Sequence, residues 1–172
     1  MSVEPTQLRF SYGPHGMPNL ADEFRKSGLR FSLSQSEDLA LLGVTSYRRI
    51  GIDIELLRPD FAYKEIAERF FSRQEIVKLL SLPAELRTQA FFNCWTRKEA
   101  YIKAGGEGLS LPLDQFEVSF TPEEEPALLS TCPDPTEANR WSLLELHPGD
   151  AYAAALAVEA SVRLLRGLNW RF

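Results

Sequence analysis

Two acids alternate with apolar residues in Gly51-Ile52-Asp53-Ile54-Glu55, and forty-odd residues later Glu99 and Lys103 stand four apart in Trp95-Thr96-Arg97-Lys98-Glu99-Ala100-Tyr101-Ile102-Lys103. The first segment has the period-two pattern of a half-buried strand, which puts Asp53 and Glu55 on one face about 7 Å apart. At that spacing and an effective dielectric of about 20, two carboxylates repel by roughly 2.4 kcal/mol. A fold that turns both inward needs a cation, a proton or an arginine between them. The second segment reads as helix, so Glu99, Lys103 and Trp95 share a face. A third carboxylate meeting the first two would complete an oxygen-rich site suited to Mg²⁺, with a lysine one turn away for phosphate. The plain alternatives are a solvated strand face for Asp53 and Glu55, and an i,i+4 ion pair between Glu99 and Lys103.

The elements that must carry these residues are readable from pattern. Residues 1–28 are rich in turn formers, with Gly13-Pro14 and Gly16-Met17-Pro18 as breakers. Strands are expected at 29–33 and 39–44 around a Ser34-Gln35-Ser36 turn, with a third at 50–55. A helix over 63–70 follows Pro59. Ser72 with Glu75 three residues on is a capping box for a helix over 73–80. Pro83 opens a long helix, 84–104, that Gly105 stops. Strands at 116–120, 141–146 and 152–158 close a sheet, and 121–140, rich in Glu and Pro, forms a hairpin with an exposed tip. Leu39–Val44 and Ala153–Val158 echo one another as small-apolar runs after acidic turns.

Composition narrows the classes. The 172 residues suffice for one domain or two small, closely packed lobes. The longest mostly apolar run, 151–158, is too short to span a bilayer, and the N-terminus has no signal-peptide pattern. Cys94 and Cys132 have no metal or disulfide spacing, which makes the cytoplasm the expected compartment. A net charge of −5 argues against nucleic acid and leaves attraction to an acidic partner to local clusters such as Arg69, Arg73 and Lys78.

From about Tyr12 to Val158 the chain resembles the 4'-phosphopantetheinyl transferases of the larger, surfactin-synthetase-activating type. The resemblance rests on Tyr12-Gly13-Pro14-His15-Gly16-Met17-Pro18, Phe31-Ser32-Leu33-Ser34-Gln35-Ser36, the GIDIE strand, Arg69-Phe70-Phe71-Ser72-Arg73-Gln74-Glu75, the WTRKEAYIK helix and Gly106–Leu113. It implies an α+β fold of two lobes related by a pseudo-two-fold axis, residues 1–50 and 51–172, with coenzyme A between them. It implies transfer of the phosphopantetheine arm to a serine of an acyl or peptidyl carrier protein in fatty acid, polyketide or nonribosomal peptide synthesis.

The resemblance also implies roles. Asp53, Glu55 and Glu99 hold Mg²⁺ (or Mn²⁺); Glu99, or a water it polarises, takes the serine proton; Lys103 contacts the pyrophosphate. Gly16, Met17, Pro18 and Ser34 lie near adenine. Gln35 stands where relatives carry histidine, so it can donate to phosphate but brings no charge. Glu75 matches an acid tied to activity, while local geometry makes it a helix cap. Lys98 is structural or at the rim, Trp95 packs to orient Glu99, and His15 is an outside candidate for lost positive charge.

Relatives carry the Tyr-Gly-Pro segment much deeper in the chain. The expectation is therefore a first lobe short of strands, with 39–44 near an open edge. The second reading, from a different class, is a relative that binds carrier protein or coenzyme A without turnover. A Mg²⁺ phosphodiesterase or nuclease shares the acids but lacks the basic surface. The resemblance implies a monomer, with dimerisation through an open apolar edge left as an alternative for this short form.

Overall fold

The computed structural model describes residues 3–13, 16–106 and 111–169. The alternating GIDIE segment forms strand β5 (Ile50–Leu56), antiparallel to β9 (Tyr152–Glu159) with Asp53 opposite Ala155 and Glu55 opposite Ala153. β9 pairs on its other edge with β8 (Trp141–Leu146), giving the order β5-β9-β8. A central strand buried on both faces wants a continuous apolar run, and residues 153–158 supply one made largely of alanine.

Small residues on that sheet let a helix come close. The long helix α3 (Ala84–Gly105) crosses the face that carries Gly51, Asp53, Ala155 and Ala157. A Cβ on Gly51 would stand 1.9 Å from the Ala100 carbonyl oxygen and 2.4 Å from the Ala104 amide nitrogen. Glycine is thus required by strand-to-helix backbone contact. The helix ends one residue later than expected: Gly106, at φ 75°, is the cap, and its N–H reaches the Ile102 and Lys103 carbonyls.

On the opposite face, Ile50, Ile52, Leu156 and Val158 form a small cluster covered by Leu41. Leu41 belongs to a hairpin of β3 (Leu29–Ser36) and β4 (Leu39–Ser46), in register from Leu29 opposite Ser46 to Ser36 opposite Leu39. The turn is therefore Glu37-Asp38, and the Ser34-Gln35-Ser36 segment expected to turn is strand. Its serines are held in extended backbone because Ser32, Ser34 and Ser36 accept the amide N–H groups of Ile52, Ile54 and Leu56 on the free edge of β5. Leu39, Leu41 and Gly43 turn inward, whereas Leu33, Leu42 and Val44 are exposed on the outer face. Openness at 39–44 thus falls on alternate residues rather than on the whole strand.

Helices α1 (Tyr63–Phe70) and α2 (Arg73–Ser81) pack against α3 through aromatic side chains, with Phe71 stacked on Phe91 at 5.3 Å between ring centroids. The 121–140 region is not a simple hairpin. Its strand β7 (Leu128–Thr131) pairs with β6 (Phe116–Val118), and a 3₁₀ turn over Pro135–Arg140 leads into β8. The turn-rich start contains two unforeseen short strands, β1 (Phe10–Tyr12) and β2 (Pro18–Leu20), paired antiparallel. Among the described residues no helix is long and apolar enough to cross a membrane.

Gly51→Ala has nowhere to put its methyl, because the obstacle is helix backbone rather than a flexible side-chain tip. The expected loss is about 3 kcal/mol or more of unfolding free energy, read from the urea midpoint, at the upper end of ordinary overpacking costs.

Candidate active site

Close approach of β5 and α3 brings the acids of one to the lysine of the other. The Lys103 ammonium donates to Asp53 Oδ1 at 2.6 Å and to Ser34 Oγ at 3.0 Å. Ser34 Oγ in turn donates to the same Asp53 oxygen at 2.9 Å, and Ser36 Oγ donates to Glu55 Oε2 at 3.3 Å. Lys103 therefore pairs across the elements with Asp53, not one turn back with Glu99. Asp53 is 4% exposed, and its second oxygen, Oδ2, is buried with no hydrogen-bond partner among the described residues.

All three acids sit above the ordinary carboxylate range. Burial raises Asp53, with the Lys103 charge opposing. Burial first and the Asp53 charge second raise Glu55. For Glu99 the order is burial, then Asp53 raising and Lys103 lowering, with a smaller push from Glu55. Glu55 and Glu99 thus both sense the Asp53 charge, whereas Asp53 is governed by burial and by Lys103.

The donor set and the orphaned Asp53 oxygen fit a hard divalent cation. They do not form a ready-made cage: no group of three or more His, Cys, Asp or Glu side chains is gathered tightly enough among the described residues. The three carboxylates expected around a common point form no such cage among the described residues; Glu55 and Glu99 feel the Asp53 charge, and the Lys103 ammonium occupies Asp53.

Lys103 also lines a cavity of 140 Å³ with Gly16, Met17, Pro18, Phe31 and Leu33. The structure thereby brings the expected adenine segment to the expected pyrophosphate lysine. A larger cavity of 520 Å³, between α2 and β6–β7 at Arg73, Lys78, Glu117 and Leu129, contains none of the three acids. The smaller one is continuous with the charged cluster and is the one the chemistry points to.

Other expected residues go elsewhere. Ser34 serves Asp53 and Lys103 from inside the fold. Gln35, next along the strand, faces the opposite way, is exposed and donates to the Glu37 carbonyl at 3.3 Å, so the structure does not bring it to the cluster. Glu75 forms the capping box with Ser72. It also accepts from the Val118 amide at 3.0 Å and from Lys98 at 2.8 Å, and it is 3% exposed. Both Glu75 oxygens are thus engaged within the fold. Lys98 is structural: fully buried, it also donates to the Leu113 carbonyl at 2.8 Å. Trp95 packs between Phe70 and Phe91. His15 and residues 107–110 of the Gly106–Leu113 motif lie outside the described residues.

Sequence reasoning missed Ser36, and it missed Arg97, which is 1% exposed and bonds the Ser119 carbonyl at 2.6 Å and Glu145 at 2.7 Å. The signal for Ser36 was present: serine at every second residue from 32 to 36 has the same period as the GIDIE strand.

Two outcomes follow for the isolated protein. Glu75→Ala strands a buried lysine and should cost about 3–5 kcal/mol in denaturant unfolding, while Glu75→Gln combined with Lys98→Met recovers most of it. For the acid cluster the folded-state pKa values are raised, so the folded protein binds protons more tightly than the unfolded chain. Stability from these groups is complete below the ordinary carboxylate range and is lost as pH climbs through their raised values. A divalent cation held by these acids would replace those protons. Excess Mg²⁺ should therefore raise the thermal midpoint by about 3 °C or more near pH 8 and by less near pH 5, as about 1.4 kcal/mol accrues at roughly ten times the dissociation constant.

Residues 49–157 match the profile of the family described as ACPS, the 4'-phosphopantetheinyl transferase superfamily. Over 158 residues the chain is 48% identical to a Nostoc sp. (strain PCC 7120) protein named 4'-phosphopantetheinyl transferase HetI, covering 92% of this chain and 63% of that one. It is 33% identical over 155 residues to 4'-phosphopantetheinyl transferase Sfp of Bacillus subtilis (strain 168), covering 90% and 66%. The chain thus spans just under two thirds of the length of these relatives. The crystal structure of Thermotoga maritima holo-[acyl-carrier-protein] synthase superimposes with a TM-score of 0.51 at 25% identity, over 66% of this chain and 63% of that one. With its α+β fold and the family pattern running through β5, α3 and β9, the chain belongs to the 4'-phosphopantetheinyl transferase superfamily, in its Sfp-like type.

Proposed function

We propose that this chain transfers the 4'-phosphopantetheine arm of coenzyme A to a serine of an acyl or peptidyl carrier protein, in the cytoplasm, with Mg²⁺ or Mn²⁺ held by Asp53, Glu55 and Glu99. The observation that carries the reading is Lys103. Its ammonium reaches Asp53 at 2.6 Å, and the residue also lines the cavity at Gly16-Met17-Pro18. That cavity has walls from residues 16–33 and from α3, which supports two lobes, 1–50 and 51–172, with the cofactor between them.

In this reading the serine oxygen of the carrier protein attacks the coenzyme A phosphorus nearer the pantetheine. A new P–O bond forms there, and the bond to the adenosine bisphosphate breaks. Glu99, held above the usual carboxylate range by burial, takes the serine proton directly or through a water. Lys103 exchanges Asp53 for the pyrophosphate and neutralises the departing bisphosphate. The divalent cation, when bound, supplies further charge neutralisation at the pyrophosphate oxygens. Adenine lies at Gly16-Met17-Pro18. Arg69 and Arg73, exposed on α1 and α2, offer local positive charge to an acidic carrier protein on a chain of net charge −5. The outward Gln35 removes one phosphate donor, which favours binding without turnover as the second reading.

Incubation with coenzyme A, Mg²⁺ and an apo carrier protein should add one phosphopantetheine arm, a mass gain of about 340 Da on the carrier serine. Asp53→Ala should abolish the gain while leaving the unfolding midpoint in place, since it removes a desolvated charge as well as a ligand. Lys103→Ala should slow transfer by about 10²–10³-fold, the usual effect of losing a group that stabilises developing charge. Calorimetric binding of coenzyme A without any mass gain would instead establish the binder.

A further inference from the structure

Serine recurs at every second position of β3 from 32 to 36, so its three hydroxyls face the same way, towards the free edge of β5. Each accepts one β5 amide: Ile52 to Ser32 at 3.1 Å, Ile54 to Ser34 at 3.4 Å and Leu56 to Ser36 at 3.0 Å. Ser34 and Ser36 also touch the acid one residue earlier, Asp53 and Glu55 respectively. A single offset therefore runs through the ladder, each serine serving the side chain of one residue and the amide of the next.

A hydroxyl has one proton and two lone pairs. At Ser34 both lone pairs are taken, by the Ile54 N–H and the Lys103 ammonium, so the proton can go only to Asp53 Oδ1. Asp53 Oδ1 then receives both Ser34 and Lys103, while Oδ2, buried, receives nothing among the described residues. Ser32 does only half the work, because its counterpart at residue 51 is glycine, with no carboxylate to hold.

We infer that Ser34 and Ser36 are positioning residues for the metal-binding acids of β5: each takes an amide of the strand and gives its proton to the preceding carboxylate, which sets the oxygen left for the cation. The inference rests on the proposed metal site. It explains why serine, small and both donor and acceptor, alternates here. A one-residue slip of β3 would turn every hydroxyl away from the acids at once.

The test titrates Mn²⁺ into the metal-free protein and reads its dissociation constant by calorimetry and by loss of the free-ion paramagnetic signal. Amide hydrogen exchange at Ile52, Ile54 and Leu56 is followed alongside. Ser34→Ala and Ser36→Ala should each weaken Mn²⁺ binding by about 10-fold or more, as losing a partner of a metal-binding side chain does. Ser36→Thr, which keeps the hydroxyl, should restore it. Ser32→Ala should lose protection at Ile52 yet bind Mn²⁺ as the parent does, because it gives up an amide bond and no carboxylate contact. Equal weakening in Ser32→Ala and Ser36→Ala would make the ladder merely structural and overturn the inference. So would unchanged Mn²⁺ binding in Ser36→Ala once protection at Leu56 is lost. A parent protein that binds no Mn²⁺ is a different result: it removes the metal site itself, and the inference with it.

Discussion

Everything in the site depends on how closely one strand can lie against one helix. Gly51 meets α3 backbone at Ala100 and Ala104, and residues of β9 on the same face, Ala155 and Ala157, are also too small to hold the helix away. Only at that separation can a lysine on α3 reach an aspartate on β5 at hydrogen-bond distance. Side chains of ordinary size at these positions would widen the gap by an ångström or more, and the acids and Lys103 would each be solvated alone. The interface spends hydrophobic burial, which larger residues would supply, on geometry.

Close contact at one end of the helix requires an anchor elsewhere, and the anchor is charged. Lys98 and Arg97, both buried, tie α3 to Glu75 of α2, to carbonyls at Leu113 and Ser119 and to Glu145 of β8. Ion pairs of this kind add little net stability compared with apolar packing, but an alternative arrangement that broke one would leave a naked buried charge. That asymmetry fixes the rotation of the helix. With residues 97 and 98 locked into the fold, Glu99 and Lys103 are obliged to face β5. Thus two residues beside the catalytic candidates do structural work, and Glu75 is drawn into that work with them.

What could be read beforehand follows from what is local. The alternation of GIDIE, the capping box at Ser72 and Glu75 and the long helical period each lie within a few residues of chain. The register of Asp53 against Lys103 was legible only through the family pattern, since nothing in either segment names its partner. The serines of 34–36 were misread as a turn because their propensity favours one. What holds them extended is the unpaired edge of β5, a tertiary demand invisible in their own segment. Glu75 stayed ambiguous for the same reason: the cap is local, whereas its partner Lys98 lies on another helix. Lys103 was expected either to pair with Glu99 or to await phosphate. Its actual partner, Asp53, comes from the sheet.

The Lys103–Asp53 pair also bears on the electrostatics of the acid cluster. Asp53, Glu55 and Glu99 are desolvated and mutually repulsive, a state that burial alone would push towards protonation. Lys103 offsets part of this at Asp53 from the edge of the cluster, where its side chain is 25% exposed. A lysine suits the role better than an arginine, since its single ammonium on a flexible stem can exchange one oxygen anion for another without a bidentate geometry to break. In the proposed reaction, a divalent cation would take the carboxylate that the lysine leaves and the lysine would take the pyrophosphate, so the two bindings would be coupled. On that proposal, the buried acids that repel one another would make binding of the metal and of coenzyme A mutually favourable.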